Sequence, residues 1–256
     1  MKKQLSKAGK LVVVAATSIC LLSACATIDP KTGERKDPLE KFNRAMWNIN
    51  YNYLDPYILK PAAEGWKNYV PMPLRVGLVN IANNLDEPAS FVNYLLEGKP
   101  KIAMLHFTRF WFNTIFGLGG LIDWADKIPS LTVSHDSDRR FGDTLGVYGV
   151  KTGPYVMLPA YGPATPREDL GNLADYTYPV FSLLEWPVGL AKYVVQGLDK
   201  RAALLGKGKL LKDSQDPYIM FREAYFQNLN YRIHGDKAVV KPEPQLSQAD
   251  LDEIDG

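Results

Sequence analysis

Few residues of this 256-residue chain have the types and spacing that chemistry requires. The two cysteines are Cys20 and Cys25, and Cys25 follows Leu22-Ser23-Ala24, a run that ends in the small residues a processing peptidase accepts. A thiol there is a nucleophile that can be made into a thioether to diacylglycerol, and cleavage before it removes Cys20. The mature chain then keeps no thiol for a disulfide, a zinc site or nucleophilic catalysis. The three histidines, His106, His135 and His234, lie far apart. His135-Asp136-Ser137-Asp138 holds the residue types of a metal site or a Ser-His-Asp set, but adjacency in sequence does not place side chains in a triad. With Arg139 and Arg140 it reads more simply as a salt-linked polar loop. No nucleophile elbow, Walker loop, zincin helix or dinucleotide fingerprint is present, so no enzyme, cofactor or metal is expected.

Two other sets of polar residues are notable for what surrounds them. His106, Arg109 and Asn113 recur at i, i+3 and i+7 and so share one narrow helical stripe, while Ile102, Met104, Phe107, Trp111, Ile115 and Phe116 fill the rest of the circumference. Such a helix is either central to a core, with Arg109 paired there, or in contact with lipid. Its charge-free run from Phe110 to Ile122 falls short of the ~20 residues that cross a bilayer, and Gly117, Gly119 and Gly120 break it. It can enter a leaflet but not cross a bilayer as a single helix. Lys192 is the only charge between Pro187 and Leu198. It is either a solvent-facing lysine or a cation meeting a phosphate headgroup at the polar edge of an apolar path.

The elements that must position these residues begin with a leader. Lys2, Lys3, Lys7 and Lys10 precede the apolar run Leu11 to Leu22, which is too short for a stop-transfer helix, so residues 1–24 read as a signal peptide and Leu22 to Cys25 as a lipobox. Each buried methylene of an attached acyl chain contributes ~0.8 kcal/mol, enough for several chains to anchor the protein almost permanently. Ala26, in place of the Asp that signals inner-membrane retention, favours the periplasmic leaflet of the outer membrane. Residues 25–36 read as a polar linker and 236–256 as an acidic mobile tail. Without the four leader lysines, 26 basic residues face 28 acidic ones, which gives no reason to expect nucleic acid.

Between linker and tail the chain is mainly α-helical. Asp37-Pro38-Leu39-Glu40 supplies a capping residue, a first-turn proline and a glutamate, and Leu39, Phe42, Met46, Ile49 and Tyr53 follow at helical spacing. Asp55-Pro56 and Asp216-Pro217 repeat the start signal, and Thr165-Pro166-Arg167-Glu168 spells a capping box for a helix to about Tyr176. Further helices are predicted from Leu74 to Leu85, Pro88 to Glu97, Lys101 to Phe116 and Pro187 to Leu205. The exception is Phe141 to Tyr161, where glycines and prolines punctuate short apolar runs and predict a small hairpin or ordered loop.

Five blocks in this order carry a family resemblance: Asp37-Pro38-Leu39-Glu40-Lys41-Phe42-Asn43-Arg44; Asn84-Leu85-Asp86-Glu87-Pro88; Arg109-Phe110 with Asn113-Thr114 and the glycines Gly117 to Gly120; Arg140-Phe141-Gly142-Asp143-Thr144-Leu145-Gly146; and Gly153-Pro154-Tyr155-Val156-Met157-Leu158-Pro159. Behind a lipobox, and from Cys25 to about Arg232, the chain resembles the MlaA (VacJ) outer-membrane phospholipid-transport lipoproteins. The resemblance implies a single ring-like helical domain, residues 37–235, embedded in one membrane leaflet around an amphipathic channel. Phospholipids mislocalised to the outer leaflet would pass through it to a periplasmic carrier, MlaC, beside trimeric porins, which maintains lipid asymmetry. His106, Arg109, Asn113 and Lys192 are then candidates for the channel lining, and Arg140, Phe141, Gly142, Gly146, Gly149 and Gly153 for a gating loop. The alternative is a scaffold lipoprotein that binds porins and transports nothing. A phospholipase has no motif behind it.

Overall fold

The structure is a computed structural model that describes residues 35–133, 137–178 and 186–235. The expectations for the signal peptide, Cys25, most of the linker, His135, Asp136 and the tail fall outside these residues.

The chain is mainly helical, and its helices start and stop where the sequence signals them. Helix α1 (Glu40–Asn48) continues through a wide-turn π segment (Ile49–Leu59) into α2 (Lys60–Tyr69). Asp37 accepts the backbone N–H of Leu39 at 3.1 Å, the contact a cap makes. Asp55-Pro56, expected to open a new helix, instead lies inside the π segment. Proline has no N–H for the ordinary ladder, and the wider turns carry the helix past it. Next come α3 (Met72–Asn84), α4 (Glu87–Leu96), stopped by Gly98 at φ +71°, and α5 (Pro100–Phe116).

The expected loop after Arg140 is corrected: Phe141–Val147 forms a short helix, α6. Only beyond it does the chain make a hairpin, in which β1 (Val156–Leu158) pairs antiparallel with β2 (Gly162–Ala164), Met157 opposite Pro163. Helix α7 (Pro166–Asp175) follows. Its expected capping box does not form, because Glu168 turns to Arg167 at 2.8 Å and Asp169 accepts the Thr165 N–H at 2.6 Å in its place. The chain closes with α8 (Trp186–Ala203), α9 (Gly208–Lys212) and α10 (Pro217–His234), the last capped by Asp216, which accepts the N–H groups of Tyr218 and Ile219.

The neighbours form a ring. Helix α2 packs on α8, α8 on α3, α3 on α5, α5 on α4, α4 on α6 and α6 on α10. Tyr155, Met157, Tyr218, Phe226 and Leu229, with Met46 and Trp47 against them, join α10 to β1 and back to α1 in the main apolar cluster. Elsewhere the polarity is inverted. Among the described residues the buried side chains are seventeen polar or charged against thirteen apolar, seven of the latter alanine. A water-soluble domain buries the reverse. On α1 the apolar stripe Leu39, Phe42, Ile49 and Tyr53 is exposed, while Asn43 is buried and clamps β1, donating to Tyr155 O and accepting from Met157 N.

Candidate functional site

The stripe on α5 is inside the protein. His106, Arg109 and Asn113 are 0, 5 and 3% exposed, while Ile115 and Phe116 on the opposite side are 62 and 61% exposed. Glu87, the first residue of α4, serves two of the three: one carboxylate oxygen lies 2.5 Å from His106 Nδ1 and the other accepts Arg109 Nε at 2.8 Å. Arg109 also donates to Asp123 and to the Leu131 carbonyl, each at 2.8 Å. Asn113 donates to Asp123 at 2.9 Å and accepts the Ala125 N–H. Burial alone would lower the Arg109 pKa, but the bonds and charges of Glu87 and Asp123 raise it. Most of their polar groups bond to carboxylates and backbone, while among the described residues the buried His106 Nε2 has no partner. They fasten α5 to α4 and to the loop after Phe116.

Lys192 is buried too, with Nζ 2.5 Å from Asp86. Asp86 also accepts Gln196 Nε2 at 2.9 Å, so the pair ties α8 to the start of α4. The Lys192 ammonium thus lies beside Asp86, one of the residues that line a cleft.

That cleft, about 370 Å³ counted to its open mouth, is lined by Asp86, Ala89 and Ser90 of the α4 end, Asp138 to Arg140, Asn172, Asp175 and Tyr176 of α7, and Tyr193 of α8. Ala89, Ser90, Arg139 and Asp175 are buried, and the other residues around it keep some accessible surface. Burial is the largest influence on Arg140, and Asp86, Tyr193, Asp143 and Asp138 outweigh it to raise the guanidinium pKa. Burial, followed by the charges of Asp86 and Glu87, pushes the Asp138 carboxyl up to about 6. Asp175 is also raised to about 6 by burial, against the hydrogen bonds it accepts from Asn93 and Phe141 N. Lys200 of α8 is exposed, yet burial lowers its pKa, and Arg140, Asp138, Asp86 and Arg232 all act on it. Side chains from the α4 end, the segment before α6, α7 and α8 thus share one cleft, and Lys200 and Arg232 lie near enough to act on its charges.

Of the expected gating residues, Arg140 borders this cleft. Phe141, Gly142 and Gly146 lie in helix α6, and Gly149 and Gly153 in the turn and loop that follow it. A Cβ on Gly171 would lie 2.4 Å from Gly142 N, and one on Gly146 would lie 2.4 Å from Ile233 Cδ1, so Gly142 and Gly146 let α6 press against α7 and α10. Phe141 N–H is held by both oxygens of Asp175. Gly149 and Gly153, at φ +81° and +80°, shape the connection to the hairpin.

Sequence reasoning missed Asp123, Asp175 and Tyr193, and it read Asp138 only as part of a polar loop. Asp86 and Glu87 stood in a family block, but nothing there told which side chains they serve. The cleft draws on four segments spread over more than a hundred residues, a separation that no local spacing reports.

Comparison with known proteins gives a consistent result. A family model described as MlaA lipoprotein matches residues 35–232. The protein of Haemophilus influenzae named intermembrane phospholipid transport system lipoprotein MlaA is 49% identical over 250 residues, 96% of this chain and 99% of its own length. The Escherichia coli K12 protein of the same name is 49% identical over 237 residues, 92% of this chain and 94% of its own. A solved structure reported as the structural basis for maintenance of bacterial outer membrane lipid asymmetry superposes with a TM-score of 0.74 and 52% identity, over 78% of this chain and 100% of that one.

Proposed function

The chain belongs to the MlaA lipoprotein family, and from that premise we propose that it is a phospholipid conduit. It removes phospholipids that have strayed into the outer leaflet of the outer membrane and passes them to a periplasmic carrier, so keeping the membrane asymmetric. In this reading Cys25 carries the acyl anchor, the body sits in the periplasmic leaflet beside trimeric porins, and MlaC receives the lipid. No bond of the lipid is made or broken, so the work is desolvation and guidance alone.

The observation that carries the reading is the inverted polarity of the ring. Exposed Ile102, Met104, Phe107, Trp111, Ile115 and Phe116 suit contact with acyl chains, which offer no penalty to an apolar surface. No helix among the described residues is long and apolar enough to cross a membrane, which fits partial immersion by a collar of short helices. The cleft with Arg140 and Asp138, and Lys200 near it, suits a headgroup, for which burial without polar partners costs several kcal/mol.

The test is reconstitution of the full lipidated protein into liposomes with a labelled phospholipid in the leaflet away from an added carrier. A conduit moves label to the carrier. A protein that holds porins but moves no label under any condition is a scaffold, and the proposal fails.

A further inference from the structure

The cleft contains two charges of opposite sign that the fold has not used. Around them every other charge is occupied: Asp86 by Lys192 and Gln196, Arg139 by Glu97 at 2.7 Å, Asp175 by Asn93 and the Phe141 N–H. Arg140 differs. Among the described residues its guanidinium donates no hydrogen bond and closes no ion pair, and the carboxylates of Asp86, Asp143 and Asp138 act on it only from a distance. Asp138 differs likewise: its backbone carbonyl accepts from Arg232, but its carboxylate has no bonded partner among the described residues. Both residues line the cleft, two positions apart in sequence, and they do not pair with each other. Asn172, on the same wall, leaves its amide oxygen without a partner.

A charge that protein largely surrounds and no partner meets is costly even where some solvent reaches it, and two such charges of opposite sign stand in one cleft here. A ligand that bears both complements repays that cost. A guanidinium meets a phosphodiester through two parallel N–H bonds, and an ammonium has three N–H donors for a carboxylate and an amide oxygen. Tyr176 and Tyr193, with ring centroids 6.5 Å apart, wall the space in which the linking methylenes of such a headgroup would lie.

We infer that this cleft is a recognition site for the headgroup of a zwitterionic phospholipid bearing a primary ammonium, with Arg140 taking the phosphate and Asp138, assisted by Asn172, taking the ammonium. An anionic lipid satisfies Arg140 and leaves Asp138 facing its glycerol or its second negative charge, so it binds less well. The inference rests on the phospholipid reading above and adds to it a selectivity.

The experiment is native mass spectrometry of the full-length protein released from detergent with equimolar phosphatidylethanolamine and phosphatidylglycerol of identical acyl chains. The expected result is a preference of about tenfold for phosphatidylethanolamine, the size of one charge-assisted hydrogen-bonded contact. Asp138→Asn should abolish the preference by weakening the ethanolamine lipid alone, Asp138→Glu should keep it, and Arg140→Gln should weaken both lipids together. Equal binding of the two lipids by the unaltered protein overturns the assignment without any variant, as does an unchanged ratio in a folded Asp138→Asn protein. Those results leave transport standing, whereas a protein that retains neither lipid removes the phospholipid reading itself.

Discussion

Glu87 shows how a helix that is apolar over most of its circumference can accommodate an arginine. One carboxylate holds His106 and Arg109, and Asp123 takes the far side of the guanidinium and the Asn113 amide, so each charge has an opposite partner and each partner a second bond. Removing Arg109 leaves the buried Glu87 carboxylate and the partly exposed Asp123 carboxylate without their cation. Arg109→Met should therefore lower unfolding free energy by about 3–5 kcal/mol in denaturant titration of the detergent-solubilised protein. Glu64→Gln, which breaks the exposed Lys60–Glu64 pair, should change it by under ~1 kcal/mol. A comparable small loss in both would mean the network carries no stability. At this scale the sequence was partly readable. The stripe on α5 follows from periodicity alone, and its burial follows from the rule that a narrow polar face on an apolar helix turns inward in lipid. The carboxylates that receive it come from positions 19 and 22 residues earlier and 10 to 14 residues later, and no pattern couples them.

Helices here are packed by small residues and polar clamps more than by large apolar side chains. Ala63, Ala82, Ala89, Ala103 and Ala125 are buried, and the large apolar residues of the same elements, Tyr94 excepted, are exposed or half-buried. The same economy explains α6 and α7, which touch backbone to backbone where Gly142 meets Gly171. Gly171→Ala should push Phe141–Gly142 away from α7, disturb the Asp175 hold on the Phe141 N–H, and destabilise the fold by about 1–3 kcal/mol. Gly189→Ala, on an open face of α8, should be neutral or slightly stabilising. A thermal-melting series settles the comparison, and equal melting of the two variants would refute the close contact. Most helix ends were legible because caps, first-turn prolines and stop glycines act locally: α3, α4, α5, α8 and α10 lie within a few residues of their signals. The failures have one cause. Asp55-Pro56 and the glycines of α6 carry local turn chemistry that tertiary packing overrides, and glycine used for close approach looks in sequence like glycine used for a turn.

For the whole molecule, the closed succession of helices separates two environments that a soluble domain would arrange the other way round. Apolar residues make the outer wall, polar residues the inner one, and the main conventional core is the patch where β1, α1 and α10 meet. Periodicity revealed that each helix is amphipathic but not which face looks outward. Closure of the ring depends on contacts such as Arg201–Asp55 and Trp66–Asp199, which join segments more than a hundred residues apart. The account stands on that separation, and thiol accessibility tests it most directly. The mature chain is expected to carry no free thiol, so single cysteines replacing Ile115 on the outer wall and Tyr193 on the inner one can be probed in intact outer membranes with a charged, water-soluble maleimide. The account requires labelling at 193, protection at 115, and loss of that protection once detergent replaces lipid. Equal labelling of both positions in the membrane would contradict it.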